Sequence, residues 1–177
     1  MDTLEAIKTR RSVREFTAER LTDSELDTLL ECAALAPSAR NRQPVRVLAV
    51  TDKEALDYIN YEYHKTIPEG ILAYTKADKN PFYHNAPALF VLYSDGSHPM
   101  DAGLMAENIT LAAKAMGLAS CILGCLCDFV NSGEGRAVRE YLGIDGYTFE
   151  ISVAVGHGAE SPELKPRNTE NFKVFKK

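Results

Sequence analysis

Apolar residues recur along this chain with two different periods. Leu26, Leu29, Leu30, Ala33 and Ala34 fall at i, i+3, i+4, i+7 and i+8, the stripe of a helix laying one face on a core. "TDSE" at 22–25 opens that helix as a capping box, and Pro37 ends it. An earlier helix is expected over 2–9. "VRVLAV" (45–50) alternates and then runs apolar, the pattern of a strand, and a short helix is expected near 52–60. "PALFVLYS" reads as a second, buried strand. The stretch 99–116 is a helix apolar on nearly every side, closed by Gly117. "LASCIL" is a third strand, 134–142 a helix, and "YTFEISVAVGHG" the last strong strand.

This order predicts an α+β protein, with a sheet of four or five strands covered by helices in three layers. No repeat or linker divides the 177 residues, so one domain spans 1–177. Two features ask for a partner. A helix without a wet face at 99–116 belongs in the centre of a fold or against another chain. The tail, 159–177, has little periodicity yet ends in Phe172, Val174 and Phe175, apolar residues that a second subunit could cover.

Composition narrows the function classes. The net charge of -5 argues against generic binding to nucleic acid or to an anionic membrane. No apolar run nears the ~20 residues of a membrane helix, and the charged N-terminus lacks the apolar core of a secretory signal, so a soluble cytoplasmic protein is expected. Cys121, Cys125 and Cys127 read C-x3-C-x-C, which misses the usual zinc and cluster spacings; small packing residues are the competing explanation. No metal site is expected.

The basic residues are uneven: seven of the ten arginines precede residue 47, and "RRSVREF" (10–16) gathers Arg10, Arg11 and Arg14 around Ser12. Glu5, Glu15 and Glu19 are near enough in sequence for ordinary surface ion pairs. A bound anion is the alternative, because guanidinium forks take phosphate oxygens two at a time. Neither a P-loop nor a G-x-G-x-x-G run is present, so any phosphate would be held by side chains from distant segments. Lys165 and Arg167 in "KPRN" offer a second cationic pair, and the loop "APSARNRQP" (36–44) presents hydroxyl and amide groups.

Taken in order, "RRSVREF", "APSARNRQP", the apolar helix leading into "GLASCILG", and "VGHGAESPELKPRN" resemble the nitroreductase family of flavin mononucleotide (FMN) enzymes. The resemblance implies a three-layer fold with a mostly antiparallel central sheet, in an intertwined homodimer with FMN at the subunit interface. By the family pattern Arg10 and Ser12, with Lys165 and Arg167, hold the phosphate and ribityl chain, and the backbone of Arg11 lines the same site. Arg14 stands beside the flavin pyrimidine. Pro37, Ser38, Ala39 and Asn41 come from the partner chain, and Leu123 and Gly124 bring a backbone amide toward flavin N5. The 99–116 helix becomes an interface helix, and 159–177 an arm on the partner subunit.

The activity implied is hydride transfer from NADH or NADPH, through the flavin, to a nitroaromatic, quinone or other electron-poor acceptor in a ping-pong cycle, with no protein nucleophile or acid–base pair. A protein that binds FMN without turnover is the alternative. Two departures stand out: Val45 follows Pro44 where relatives often carry an aromatic residue, and Cys125 replaces a second glycine. The aromatic stretch 58–83 is either a roof over the pocket that selects flat substrates or an ordinary loop with core anchors.

Overall fold

A computed structural model describes residues 1–67, 80–170 and 172–175. Its helices are α1 (Thr3–Thr9), α2 (Asp23–Ala34), α3 (Lys53–Lys65), α4 (Pro99–Ala115), α5 (Cys127–Asn131) and α6 (Arg136–Leu142). The strands are β1 (Val45–Val50), β2 (Ala88–Ser94), β3 (Ala119–Leu123) and β4 (Thr148–Gly156), and they form one sheet in the order β1-β2-β4-β3 with every pair antiparallel.

β2 explains the layering. Leu89 and Val91 point into a core shared with α3, α5 and α6, while Phe90 and Leu92 point into a second core shared with α2 and α4. A strand covered on both faces needs an unbroken apolar run, which "ALFVL" supplies. The three-layer α+β expectation therefore holds, with four strands among the described residues.

Local expectations fare unevenly. The capping box at Thr22 forms in full. Asp2 caps α1, so the helix proper starts at Thr3. Gly117 takes φ +82 just past α4, the left-handed position glycine fills without strain. The helix expected over 52–60 runs on to Lys65 because Ile59, Asn60 and Tyr63 continue its buried face. The single helix expected over 134–142 is preceded by α5, which the apolar stretch before it concealed. Val45 is buried in the second core, so the missing aromatic there is replaced by aliphatic packing.

One irregularity places α4. Between Leu92 and Tyr93 the β2–β4 register shifts, leaving Glu150 as the extra residue. Its carboxylate accepts from the Ser94 hydroxyl and from the His98 backbone N–H, both at 2.5 Å, and so anchors the start of α4 to the sheet.

Candidate functional site

The segment Arg10–Phe16 is extended and laced to the β3 edge. Val13 N–H donates to the Ser120 carbonyl at 3.0 Å, within a parallel bridge between Ser12 and Ser120. Farther along, Thr17 N–H donates to the His157 carbonyl at 2.9 Å and Ala159 N–H to the Glu15 carbonyl at 2.8 Å. Val13 and Phe16 are buried, while Arg14 between them is exposed. Gly156, where β4 ends, is required by close approach: a Cβ there would lie 2.4 Å from Pro87 Cδ.

Because the segment is extended, the i, i+4 spacing of Arg10 and Arg14 does not stack them on one helix face. The local acids are not their partners either. Arg10 Nε sits 3.8 Å from Glu107 Oε1 on α4, and Arg11 Nη1 donates to the carbonyls of Lys8 and Arg10 at 3.1 and 2.6 Å. Arg14 is held through its backbone, whose N–H donates to Glu160 Oε1 at 2.5 Å.

Two adjoining cavities flank this segment. One, about 190 Å³, is lined by Thr9, Arg10, Arg11, Lys114, Ser120 and Glu160 among others. Three cations and three hydroxyls, Ser161 being the third, against one carboxylate make a donor set suited to a phosphate monoester. The second, about 550 Å³, is lined by Arg14, Phe16, Asn80, His84 and Glu160. Glu160 borders both. His84 is buried, with Nδ1 3.2 Å from Asn80 Oδ1; burial, then the Arg14 guanidinium, lowers its pKa below the ordinary histidine value, opposed by Glu160.

The other expected contacts lie elsewhere on the chain. Pro37 and Ser38 line a separate cavity of about 230 Å³ with Asp101 and Met105, beside β1. Ser38 Oγ accepts from Gln43 N–H at 2.9 Å, Asn41 Oδ1 accepts from Gln43 Nε2 at 2.9 Å, and Ala39 N–H reaches Asp101 Oδ1 at 3.4 Å. β1 and β3 are opposite edges of the sheet. Asp101 and Lys114 are near opposite ends of α4, about 20 Å apart at ~1.5 Å per residue. The loop 37–41 of one chain therefore borders a different cavity from those lined by Arg10, Arg11 and Arg14.

Leu123 and Gly124 stand at the far end of β3 from Ala119. Leu123 is buried, its carbonyl accepting from the Ser152 hydroxyl at 3.3 Å, and Gly124 is exposed with nothing within 4 Å of where a Cβ would project. Lys165 and Arg167 are exposed in the tail, beyond Pro162, where the lining of the smaller cavity stops.

Cys121 is buried, and Cys125 and Cys127 pack against the same core; burial pushes all three thiols up. Among the described residues no group of three or more His, Cys, Asp and Glu side chains could hold a metal ion, and no helix is long and apolar enough to cross a membrane. Within the aromatic stretch, Tyr63, Phe82 and Tyr83 are core residues and Tyr58 packs on Tyr141 at 4.6 Å between ring centroids. The remainder of the expected roof, 68–79 with Tyr74, lies outside the described residues.

Glu160, His84 and Lys114 were missed at the sequence level. Glu160 lies inside "VGHGAESPELKPRN", and the "HN" at 84–85 is a turn signal, since both residue types tolerate left-handed backbone.

The nitroreductase family model matches residues 7–157. The NADPH-flavin oxidoreductase of Vibrio harveyi is 30% identical over 176 residues, covering 94% of this chain and 70% of that one. A nitroreductase with bound FMN from Desulfitobacterium hafniense DCB-2 superposes with a TM-score of 0.88 at 27% identity, covering 99% of this chain and 100% of that one. The FMN-bound nitroreductase of Bacteroides fragilis gives a TM-score of 0.80, also at 27% identity, over 99% and 98% of the two chains.

Proposed function

Since the chain belongs to the nitroreductase family, we propose that it is an FMN-dependent oxidoreductase that carries hydride from NADH or NADPH to a small electron-poor acceptor. The observation that carries this reading is the cation-lined cavity at the β3 edge, whose donors suit the FMN phosphate. FMN, when bound, supplies the redox chemistry by accepting and donating hydride.

The protein's own residues bind and orient. Arg10, Ser12 and Lys114 hold the phosphate and ribityl chain, the backbone at Arg11 closes the wall, and Lys165 and Arg167 fold in from the tail. Arg14 places a fixed positive charge at the pyrimidine, where negative charge builds on reduction, and so favours reduction without moving a proton. Leu123 and Gly124 offer backbone at the reacting edge, with open space at Gly124 for the approach. Donor and acceptor use one slot in turn, a ping-pong cycle, with nitroaromatics and quinones as the acceptor class.

The site takes two subunits. Residues 37–41 are remote from Arg10–Arg14 in one chain, so Pro37, Ser38, Ala39 and Asn41 act on the partner's cofactor. α4 supports the same assembly: Met100, Gly103 and Leu104 form an exposed apolar strip on a helix that buries Ala102, Met105, Ala106, Ile109, Thr110 and Ala113 in the core. The tail supports it too, with Phe172, Val174 and Phe175 exposed at 76%, 79% and 87% and a partner surface as their natural cover.

The test is steady-state oxidation of NADH and NADPH by the purified protein with and without menadione or a nitroaromatic. Acceptor-stimulated consumption of at least one donor is expected. A flavin-loaded protein that no donor and acceptor pair turns over is a carrier instead.

A further inference from the structure

Beyond Phe16, where the N-terminal segment continues to Arg20, a further cavity of about 340 Å³ opens against the start of α3. It shares only Phe16 and Asn85 with the larger cavity that Arg14 lines. None of the residues assigned to the cofactor borders it. Phe16, Leu56, Tyr83 and Ala86 in its lining are buried and apolar in character, whereas Arg20, Thr51, Lys53 and Asn85 are exposed. A concave apolar surface of this size with a few polar groups at its edge is how sites for small molecules are built.

The charges at that edge are not balanced. Lys53 Nζ donates to both oxygens of Asp57, at 2.9 and 2.7 Å, and the Tyr83 hydroxyl donates to Asp57 Oδ1 at 2.6 Å. Lys53 and Asp57 thus neutralise each other. Burial, then the hydrogen bond to Asp57, pushes the Tyr83 pKa up to about 12, so the phenol stays neutral near pH 7. Arg20 has no hydrogen bond or ion pair among the described residues, and the described lining contains no carboxylate. One guanidinium is left over beside an apolar wall that includes two aromatic rings.

We propose that this cavity binds a small aromatic monocarboxylate. Its ring packs on Phe16, Leu56, Tyr83 and Pro87, and its carboxylate is taken by Arg20, whose planar fork matches two carboxylate oxygens. A single unpaired cation selects a single negative charge. The proposal is independent of the flavin assignment.

The experiment is calorimetric titration of the full-length protein, flavin-loaded and with no FMN added, using 2-naphthoate and its neutral counterpart 2-naphthamide. The acid is expected to bind with a Kd of about 0.1–1 mM, about tenfold more tightly than the amide, the scale of one charge-assisted bond. Arg20→Gln, at an exposed position, should bring the acid to the affinity of the amide, and Arg20→Lys should restore part of the difference. Ala18→Phe, also exposed, adds a ring at the cavity wall and should weaken both compounds about tenfold or more. Equal wild-type affinity for acid and amide overturns the proposal, as does an Arg20→Gln variant that binds the acid like the wild type. Wild-type affinity in Ala18→Phe would place the acid in the slot beside the flavin, and overturns it too. No binding of the acid overturns it outright, and none of these results bears on whether FMN binds.

Discussion

Glu160 accepts the backbone N–H of Arg14 through Oε1 at 2.5 Å, across 146 positions of sequence. The bond fixes the main chain at Arg14, while the side chain lines the larger cavity with no hydrogen bond or ion pair among the described residues. Position and charge at this residue are therefore separable. Arg14→Ala keeps the N–H and its bond, so folding stability should stay within about 0.5 kcal/mol of wild type. Reduction of the bound flavin by NADPH should slow by about tenfold to a hundredfold, because charge building on the pyrimidine loses its fixed partner. Stopped-flow reduction beside a thermal melt checks both, and an unchanged reduction rate removes Arg14 from that role.

The phosphate assignment divides between a cavity and a tail. Arg10 and Lys114 already line one cavity, whereas Lys165 and Arg167 stand outside it. Arg10→Ala should lower the preference for FMN over riboflavin by about tenfold, the scale of one charge-assisted bond. Replacing Lys165 and Arg167 together should erase what remains. Titration with both flavins measures it, and a double variant with wild-type preference excludes the tail cations from the phosphate.

Assembly is tested on α4. Leu104→Glu puts a charge on its exposed apolar strip, at a position already open to solvent in the single chain. The variant should fold, run as a monomer in sedimentation velocity and lose its flavin, because half the site then has no counterpart. A variant that stays dimeric and yellow would place the subunit contact elsewhere.

The start of α2 gives a pH effect of known sign. Thr22 N–H and hydroxyl donate to Glu25 Oε2 at 2.7 and 2.8 Å and hold its carboxyl below the ordinary range. A depressed carboxylate contributes stability present above its unfolded pKa and lost as pH falls through the folded one. The group is well solvated, so the contribution is a fraction of a kcal/mol, lost as pH falls from the ordinary glutamate range through the lower folded value. Thr22→Ala should cost about 1 kcal/mol at pH 7 and reduce that acid-side dependence without abolishing it, because the backbone N–H at position 22 still donates to Glu25, as urea melts at pH 7 and pH 3 would register.

The layers were legible in the sequence because they are written as periods. The i, i+3, i+4 stripe of α2 and the unbroken apolar run of β2 leave little choice of neighbour. The site was legible only in pieces. "RRSVREF" announced its cations, but the partners of Arg10 and Arg14 are Glu107 and Glu160, both remote in sequence, and nearby Glu5, Glu15 and Glu19 pointed the wrong way. His84 was one of four scattered histidines until a tight turn placed it on the cavity wall. The Glu150 bulge that anchors α4 leaves no local signature, since it is a mismatch between two strands rather than a property of either.

The most direct test of the account is the absorbance of the purified protein between 300 and 550 nm, recorded before and after adding NADH or NADPH without oxygen. Flavin bands that bleach with at least one donor are the predicted result, and the donor that bleaches them faster is the preferred one. No flavin bands, even after incubation with FMN, would contradict the assignment of the arginine-lined cavity from its foundation.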